Sequence, residues 1–240
     1  MSHYNREAKS KRGIHLIKAC IFDLDGTLVD SIEDIAAACN YALEQFGFPS
    51  ETPQAIQSYF GDGIAKVIER SMPAEARSED NITKVKEAML KYYSDHLTVY
   101  TKPFVGITQM LQGLLAMKIR LIVLSNKAQD QTMGLVHGIF GKNLFEKISG
   151  LRSGVLRKPD PRETLRCIED AGLKNDECLF IGDSPGDMIT AKKAGIKPVG
   201  VAWGYFPEET LIRTGADMIL QSPAELLDDL GFVNDTTPVV

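Results

Sequence analysis

Apolar residues follow two different rhythms along the chain. Between Ser31 and about residue 100 they recur every three or four positions: Ile35, Cys39, Ala42 and Phe46, then Val85, Met89 and Tyr92. That is the period of helices with one buried stripe. Ser31 and Asp34 predict a capping box at the first helix, and Gly47 suits its exit. Thr52-Pro53 opens a second helix that runs to Phe60, and Gly61-Asp62-Gly63 interrupts it. A third is expected from Ile64 to about Met72, and a fourth over residues 80–96. Nothing in this block alternates as a half-buried strand does.

Elsewhere, short apolar runs alternate with helical stretches. Strands are predicted at residues 15–22, 119–124, near Ile148, at 178–181, 198–201 and 218–220. Helices are predicted at 107–117, 128–140, 161–171, 188–194 and 208–212. This is the spacing of βαβ units, and it predicts an α/β fold with a doubly wound parallel sheet. A strand-to-strand crossover takes about 30 residues, and the span from Asp30 to Ile119 is far longer. A small all-helical cap domain, residues 31–100, is therefore inserted into a core made of 15–30 and 101–233. Residues 1–14 and 234–240 read as tails.

Composition narrows the class without choosing a chemistry. The chain has 240 residues, 44% of them hydrophobic and 25% charged, which is ordinary for a globular protein. A net charge of −5 and the lack of a long basic run argue against nucleic acid as a partner. No apolar run is long enough to cross a membrane, and residues 1–13 do not form a secretory signal. Cys20, Cys39, Cys167 and Cys178 are widely spaced and read as small core residues in a reducing, cytoplasmic setting. Oligomeric state has no signature here.

The chemistry gathers at strand ends, where ligands bind in open parallel sheets. The first strand runs straight into Asp23 and Asp25, whose spacing points both side chains one way in an extended chain. Gly26 then frees the backbone to turn. At about 4 Å and an effective dielectric near 20, two such carboxylates repel by roughly 4 kcal/mol, which invites a cation or a proton. Ser125-Asn126-Lys127 follows the second strand, Arg157-Lys158-Pro159 the third, and Gly182-Asp183-Ser184-Pro185-Gly186-Asp187 the fourth. Each alone has a plain structural reading: a helix cap, a solvated basic turn, acids at a helix N-terminus. Together they place acids, a hydroxyl and a lysine at successive ligand-facing ends. Clustered acid oxygens suit magnesium, and the serine, free N–H groups and lysine suit a phosphate.

As a set, Asp23-Leu24-Asp25-Gly26-Thr27, Ser125-Asn126, Lys158 and Gly182-Asp183…Asp187 resemble, in order, the four motifs of the haloacid dehalogenase superfamily. The match runs from about Ile17 to Leu220. The resemblance implies a Rossmann-like core and a helical cap. It implies that Asp23 is a nucleophile forming an aspartyl-phosphate, and that Asp25 is the acid and base. It also implies magnesium at Asp23, the Asp25 backbone carbonyl and Asp183, with Asp187 in support. Gly26, Thr27, Ser125, Asn126 and Lys158 would then bind the phosphate, Lys158 also neutralising charge during transfer. Pro185 and Gly186 depart from the family pattern between the two acids but keep the spacing.

Phe60-Gly61-Asp62-Gly63, Lys158-Pro159-x-Pro161 and Val201-x-Trp203-Gly204-Tyr205 are similar to the phosphoglycolate-phosphatase-like group. A small phosphorylated metabolite is the implied substrate, 2-phosphoglycolate the best single choice. A phosphosugar mutase of β-phosphoglucomutase type shares these core motifs, and a non-catalytic phospho-accepting receiver module is the alternative from another class. Asp25 sets the chain apart from the hydrolytic dehalogenases, which lack an acid there. Lys66, Lys84 and Lys86 do not stand in the setting of a phosphonoacetaldehyde-hydrolase lysine. Substrate discrimination is expected from residues 61–70, where Lys66 and Arg70 are cations that also read as solvated helix surface. Trp203 and Tyr205 are expected to pack, not to recognise.

Overall fold

The structure is a computed structural model and describes residues 17–231. The expected tails and the His15 end of the first strand lie outside those residues. Strand β1 (Ala19–Phe22) leads through a tight turn into β2 (Val29–Asp30). Four helices follow: α1 (Ile32–Gln45), α2 (Pro53–Ser58), α3 (Ile64–Ser71) and α4 (Glu79–Asp95). The chain returns through β3 (Lys102–Pro103) to α5 (Ile107–Ala116), β4 (Arg120–Ala128), α6 (Gln129–Phe140) and β5 (Lys147–Leu151). Then come α7 (Arg162–Asp170), β6 (Cys178–Gly182), α8 (Pro185–Ala194) and β7 (Lys197–Val201). Last are α9 (Glu208–Thr214), β8 (Met218–Leu220) and α10 (Pro223–Asp229). Among the described residues no helix is long and apolar enough to cross a membrane.

Six strands form one sheet in the order β5-β4-β1-β6-β7-β8, every neighbouring pair parallel. Strand order reverses at β1, which pairs with β4 on one side and β6 on the other. The end of β1 is thus the switch point where a crevice must open. All four β1 residues are buried because both faces of the sheet are covered. Cys20 and Phe22 pack with Met110 and Leu114 of α5 and Leu226 of α10. Ala19 and Ile21 pack on the other face with Ile168 of α7 and Ala191 of α8. At about 1.5–3 kcal/mol for each large apolar side chain, this two-sided burial holds the loop after β1 in place.

The helices between β2 and β3 have an apolar cluster of their own, including Ile35, Cys39, Leu43, Ile68, Val85, Met89 and Tyr93. Tyr93, not Tyr92, completes the buried α4 stripe; Tyr92 stays half-buried and stacks between Tyr41 and His96. The two linkers pair as an antiparallel ribbon, Val29 opposite Pro103 and Asp30 opposite Lys102. The expected Ser31–Asp34 capping box does not form. Ser31 makes no capping bond, because its buried hydroxyl donates to Asp25 at 2.6 Å and the buried Asp34 carboxylate serves partners distant in sequence. Asp34 accepts from the Tyr100 N–H at 3.0 Å, the Thr101 N–H at 2.8 Å and the Thr101 hydroxyl at 2.6 Å. One carboxylate thereby joins the insertion's entry to its exit.

A second difference concerns β4. Residues 125–127, expected at a helix start, stay in the strand, which runs on to Ala128 with an irregular register after Leu124.

Candidate active site

The ends of β1, β4 and β6 and the loop after β5 surround a cavity of about 450 Å³, closed on its far side by α3 and α4. Asp23, Asp25, Ser125, Asn126, Lys127, Lys158 and Asp183 all line it.

Lys158 is the pivot. It comes from the loop after β5 and is buried. Its ammonium lies 2.7 Å from Asp23 Oδ1 and 2.6 Å from Asp187 Oδ1. Burial works against the charge, but Asp187 and then Asp23 outweigh it, and the lysine pKa is raised. The other Asp23 oxygen has no hydrogen-bond partner among the described residues. Burial raises the Asp23 pKa well above the usual carboxylate range, Asp187 adding to it and Lys158 opposing it.

Asp183 follows β6 and is buried. It accepts from the Thr27 hydroxyl at 3.1 Å and the Tyr205 N–H at 2.8 Å. Burial and the nearby Asp187 still push it up to about 7. Two glycines make room for it. A Cβ on Gly26, whose φ is +84°, would stand 2.2 Å from Asp183 Oδ2, and one on Gly204 would stand 2.2 Å from its Cβ. Asp187 sits in the first turn of α8, in a capping box with Ser184, whose N–H and hydroxyl donate to its Oδ2 at 3.0 and 2.6 Å. Pro185 falls at the first helical position, where its missing N–H costs nothing. The Pro-Gly departure thus starts a helix.

Asp23, Asp183 and Asp187 can each offer an oxygen, all within 4.8 Å of one another. Three buried acids face one lysine, so an added cation is electrostatically favoured, and an all-oxygen donor set fits magnesium. Asp187 already spends both oxygens on Lys158 and Ser184, which suits a supporting position better than direct ligation.

Asp25 points to a different cation. Its Oδ1 accepts from the Ser31 hydroxyl at 2.6 Å and from the Lys127 ammonium at 2.9 Å. Lys127 also donates to the Tyr93 hydroxyl of α4 at 2.5 Å. Burial disfavours that charge, yet Asp25 and then Tyr93 raise the lysine pKa. The expected repulsion between Asp23 and Asp25 is thus replaced by two separate pairings, and the acids that crowd Asp23 are Asp187 and Asp183.

Ser125 is buried, its oxygen accepting from the Lys127 N–H at 3.2 Å. The Asn126 side chain clamps the lysine loop: its Oδ1 accepts from the Lys158 N–H at 2.8 Å and its amide donates to the Lys158 carbonyl at 3.2 Å. Tyr205 does more than pack. Its hydroxyl accepts from the Ser31 N–H at 2.8 Å, and its ring meets Phe60 edge-on at 5.5 Å. Trp203 donates to the Thr27 carbonyl at 3.0 Å. Lys66 and Arg70, the two cations expected near a substrate, are instead paired with Glu69 and Asp62 and do not line the cavity.

Sequence reasoning gave no role in the site to Lys127, Ser31 or Tyr93. The alternation of Ser125 and Lys127 along an extended strand was the available signal for the first. The other two are visible only once the insertion is folded over the sheet.

The family model for haloacid dehalogenase-like hydrolases matches residues 20–201. The phosphoglycolate phosphatase of Chromobacterium violaceum is 34% identical over 215 residues, covering 88% of this chain and 96% of that protein. The phosphoglycolate phosphatase of Aquifex aeolicus is 30% identical over 211 residues, covering 88% of this chain and 95% of that protein. A crystal structure from Lactobacillus delbrueckii superposes with a TM-score of 0.82 at 31% identity, over 89% of this chain and 98% of that one. A receiver module shares none of this, so that alternative falls away. The chain belongs to the haloacid dehalogenase-like hydrolases, as a phosphomonoester hydrolase of the phosphoglycolate-phosphatase-like group.

Proposed function

We propose that the chain is a magnesium-dependent phosphatase that hydrolyses a small phosphorylated metabolite, 2-phosphoglycolate foremost, through an aspartyl-phosphate on Asp23. The observation that carries this reading is the state of Asp23. One oxygen is held 2.7 Å from Lys158 and the other has no hydrogen-bond partner among the described residues, inside a buried cluster of three acids. Such a carboxylate is oriented and open to attack a phosphorus.

Asp23 attacks phosphorus in line, and the bond from phosphorus to the ester oxygen breaks. Asp25 gives that oxygen its proton; with Oδ1 anchored by Ser31 and Lys127, Oδ2 is the atom that carries it. Asp25 then takes a proton from water, which attacks phosphorus, frees phosphate and restores Asp23. Ser125 and the backbone of residues 26–27 and 126 cradle the phosphoryl oxygens, and Lys158 neutralises their charge. Asp23, the Asp25 carbonyl and Asp183 would hold magnesium, with Asp187 behind them; when bound, the ion supplies further charge compensation at the phosphoryl group. Phosphate-monoester hydrolysis is among the slowest uncatalysed reactions, with enhancements reaching about 10²¹-fold, so all these contributions are needed. Helices α1–α4 act as the cap, with the linker ribbon as its hinge. The four free cysteines are all buried, which supports a reducing, cytoplasmic setting.

In the test, Asp23→Asn keeps its circular dichroism spectrum while phosphate release from 2-phosphoglycolate drops by about 10³-fold or more. A chelator abolishes the wild-type rate and magnesium restores it. Retained turnover in the variant, or indifference to the chelator, refutes the reading.

A further inference from the structure

The cavity is lined by four cations, and two of them are left over. Lys158 is committed to Asp23 and Asp187, and Lys127 to Asp25 and Tyr93. Lys86 of α4 and Arg157 of the loop after β5 also line the cavity. Lys86 is half-buried and has neither a hydrogen bond nor an ion pair among the described residues. Among the described residues Arg157 donates only to a backbone oxygen, the Asp62 carbonyl at 2.9 Å. Three other cations of the helical insertion are matched, Lys66 with Glu69, Arg70 with Asp62 and Lys84 with Asp80, while Arg77 donates to backbone carbonyls and Lys91 is exposed; neither Arg77 nor Lys91 lines the cavity. The carboxylate of Asp62, the residue whose carbonyl Arg157 meets, is already engaged by Arg70.

The place of Lys86 on its helix gives the leftover charge a meaning. Lys86, Met89, Leu90 and Tyr93 line the cavity at i, i+3, i+4 and i+7, one face of α4. The Tyr93 end reaches Lys127 and, through it, Asp25. Lys86 lies seven residues back, about 10 Å along the axis. Between the two ends the walls are apolar, with Phe60, Ile64, Val67, Met89 and Leu90. An ammonium on such a wall gives up part of its hydration and receives no counter-charge from the protein. The cavity therefore has two different ends: an acid-rich phosphoryl end whose lysines are already paired, and a Lys86 end whose positive charge is unmatched. Gly63 belongs to the same wall: a Cβ there would stand 2.4 Å from an Arg157 guanidinium nitrogen, so the glycine lets the arginine lie against the insertion.

We propose that Lys86 of the insertion and Arg157 of the core loop form a second anion subsite, which takes an acidic group, a carboxylate or a second phosphate, on the leaving alcohol. This rests on the phosphatase reading and deepens it, since it names the feature by which the substrate is chosen. An arginine fork and a lysine point charge are complementary tools for such a group. One comes from each side of the cavity, so an anionic tail also holds the insertion down while the bond breaks.

The experiment compares kcat/KM with magnesium present for 2-phosphoglycolate and 3-phosphoglycerate against ethyl phosphate and glycerol 3-phosphate, whose tails are uncharged. In the wild type the anionic tails are preferred. In Lys86→Met and in Arg157→Met the ratio of anionic to neutral tails falls about tenfold or more, and Lys86→Arg restores most of it. Lys86→Glu moves the preference toward O-phosphoethanolamine, whose tail is cationic. Ratios unchanged by either substitution overturn the subsite while leaving the phosphatase reading in place. A wild type that hydrolyses none of these esters overturns both.

Discussion

At the scale of the residue, the site is built on mismatched charge. Asp23, Asp183 and Asp187 are packed against a single lysine, and burial pushes Asp183 up to about 7 from an ordinary 3.8. A carboxyl whose folded pKa is raised binds its proton more tightly than in the unfolded chain. The stability it contributes is complete below about pH 4 and is lost as pH rises through about 7. Asp23 moves in the same direction. The metal-free protein is therefore expected to melt at a lower temperature at pH 8 than at pH 5, and Asp183→Asn flattens that slope. Magnesium restores stability most at the alkaline end, because it takes the place of the protons. Melting curves in chelator across this range check it; a flat profile for the metal-free wild type contradicts it. Asp23 and Asp183 were legible because each stands at the end of an apolar run, and Lys158 because it lies in a proline-stiffened basic turn after a strand. Lys127 was not, because its partner Asp25 lies 102 residues away in sequence.

At the scale of the element, short-range patterns located helices and strands well and misjudged their ends. The helix of residues 80–96 was expected within a residue of where α4 lies, since its apolar stripe is long and regular. Strand β4 overran its expected end because Ser125, Asn126 and Lys127 are polar, and polarity reads as loop. Those three residues remain extended because their side chains have partners in the site. Asp34 is the clearest case of tertiary demand overriding a local motif. Its three bonds across the linker ribbon are expected to make Asp34→Ala costly, by about 2 kcal/mol or more in urea unfolding, since hydrogen bonds to a buried charge are lost together. An exposed helix cap would cost about 1 kcal/mol. A loss smaller than that means the ribbon holds without Asp34.

At the scale of the whole molecule, the insertion and the sheet are joined at a few polar points around an apolar cavity. The Tyr93 hydroxyl meets Lys127, Gln131 donates to Ser94 at 3.0 Å, and Arg157 meets the Asp62 carbonyl. Such polar points would let the two surfaces part and rejoin, as the proposed cap motion requires. Tyr93→Phe keeps the ring and removes the bond to Lys127. The expected result is a kcat/KM lower by about tenfold with an unchanged melting temperature, one charged hydrogen bond being worth about that factor. An unaltered kcat/KM means that Tyr93 is only packing. The amino-acid sequence by itself determined the parallel sheet, the helical insertion and the order of acids, hydroxyl and lysine at the strand ends. Those depend on periodicity and on neighbours within a few residues, which a linear chain displays. Only the tertiary structure decided that Asp25 pairs with Lys127, that the side chains of Ser31 and Asp34 bond to Asp25 and to residues 100–101 instead of capping α1, and that Lys86, not Lys66 or Arg70, faces the cavity. Each of those depends on which distant side chains share a low-dielectric space, where an unpaired charge is expensive and the nearest partner is chosen by the fold.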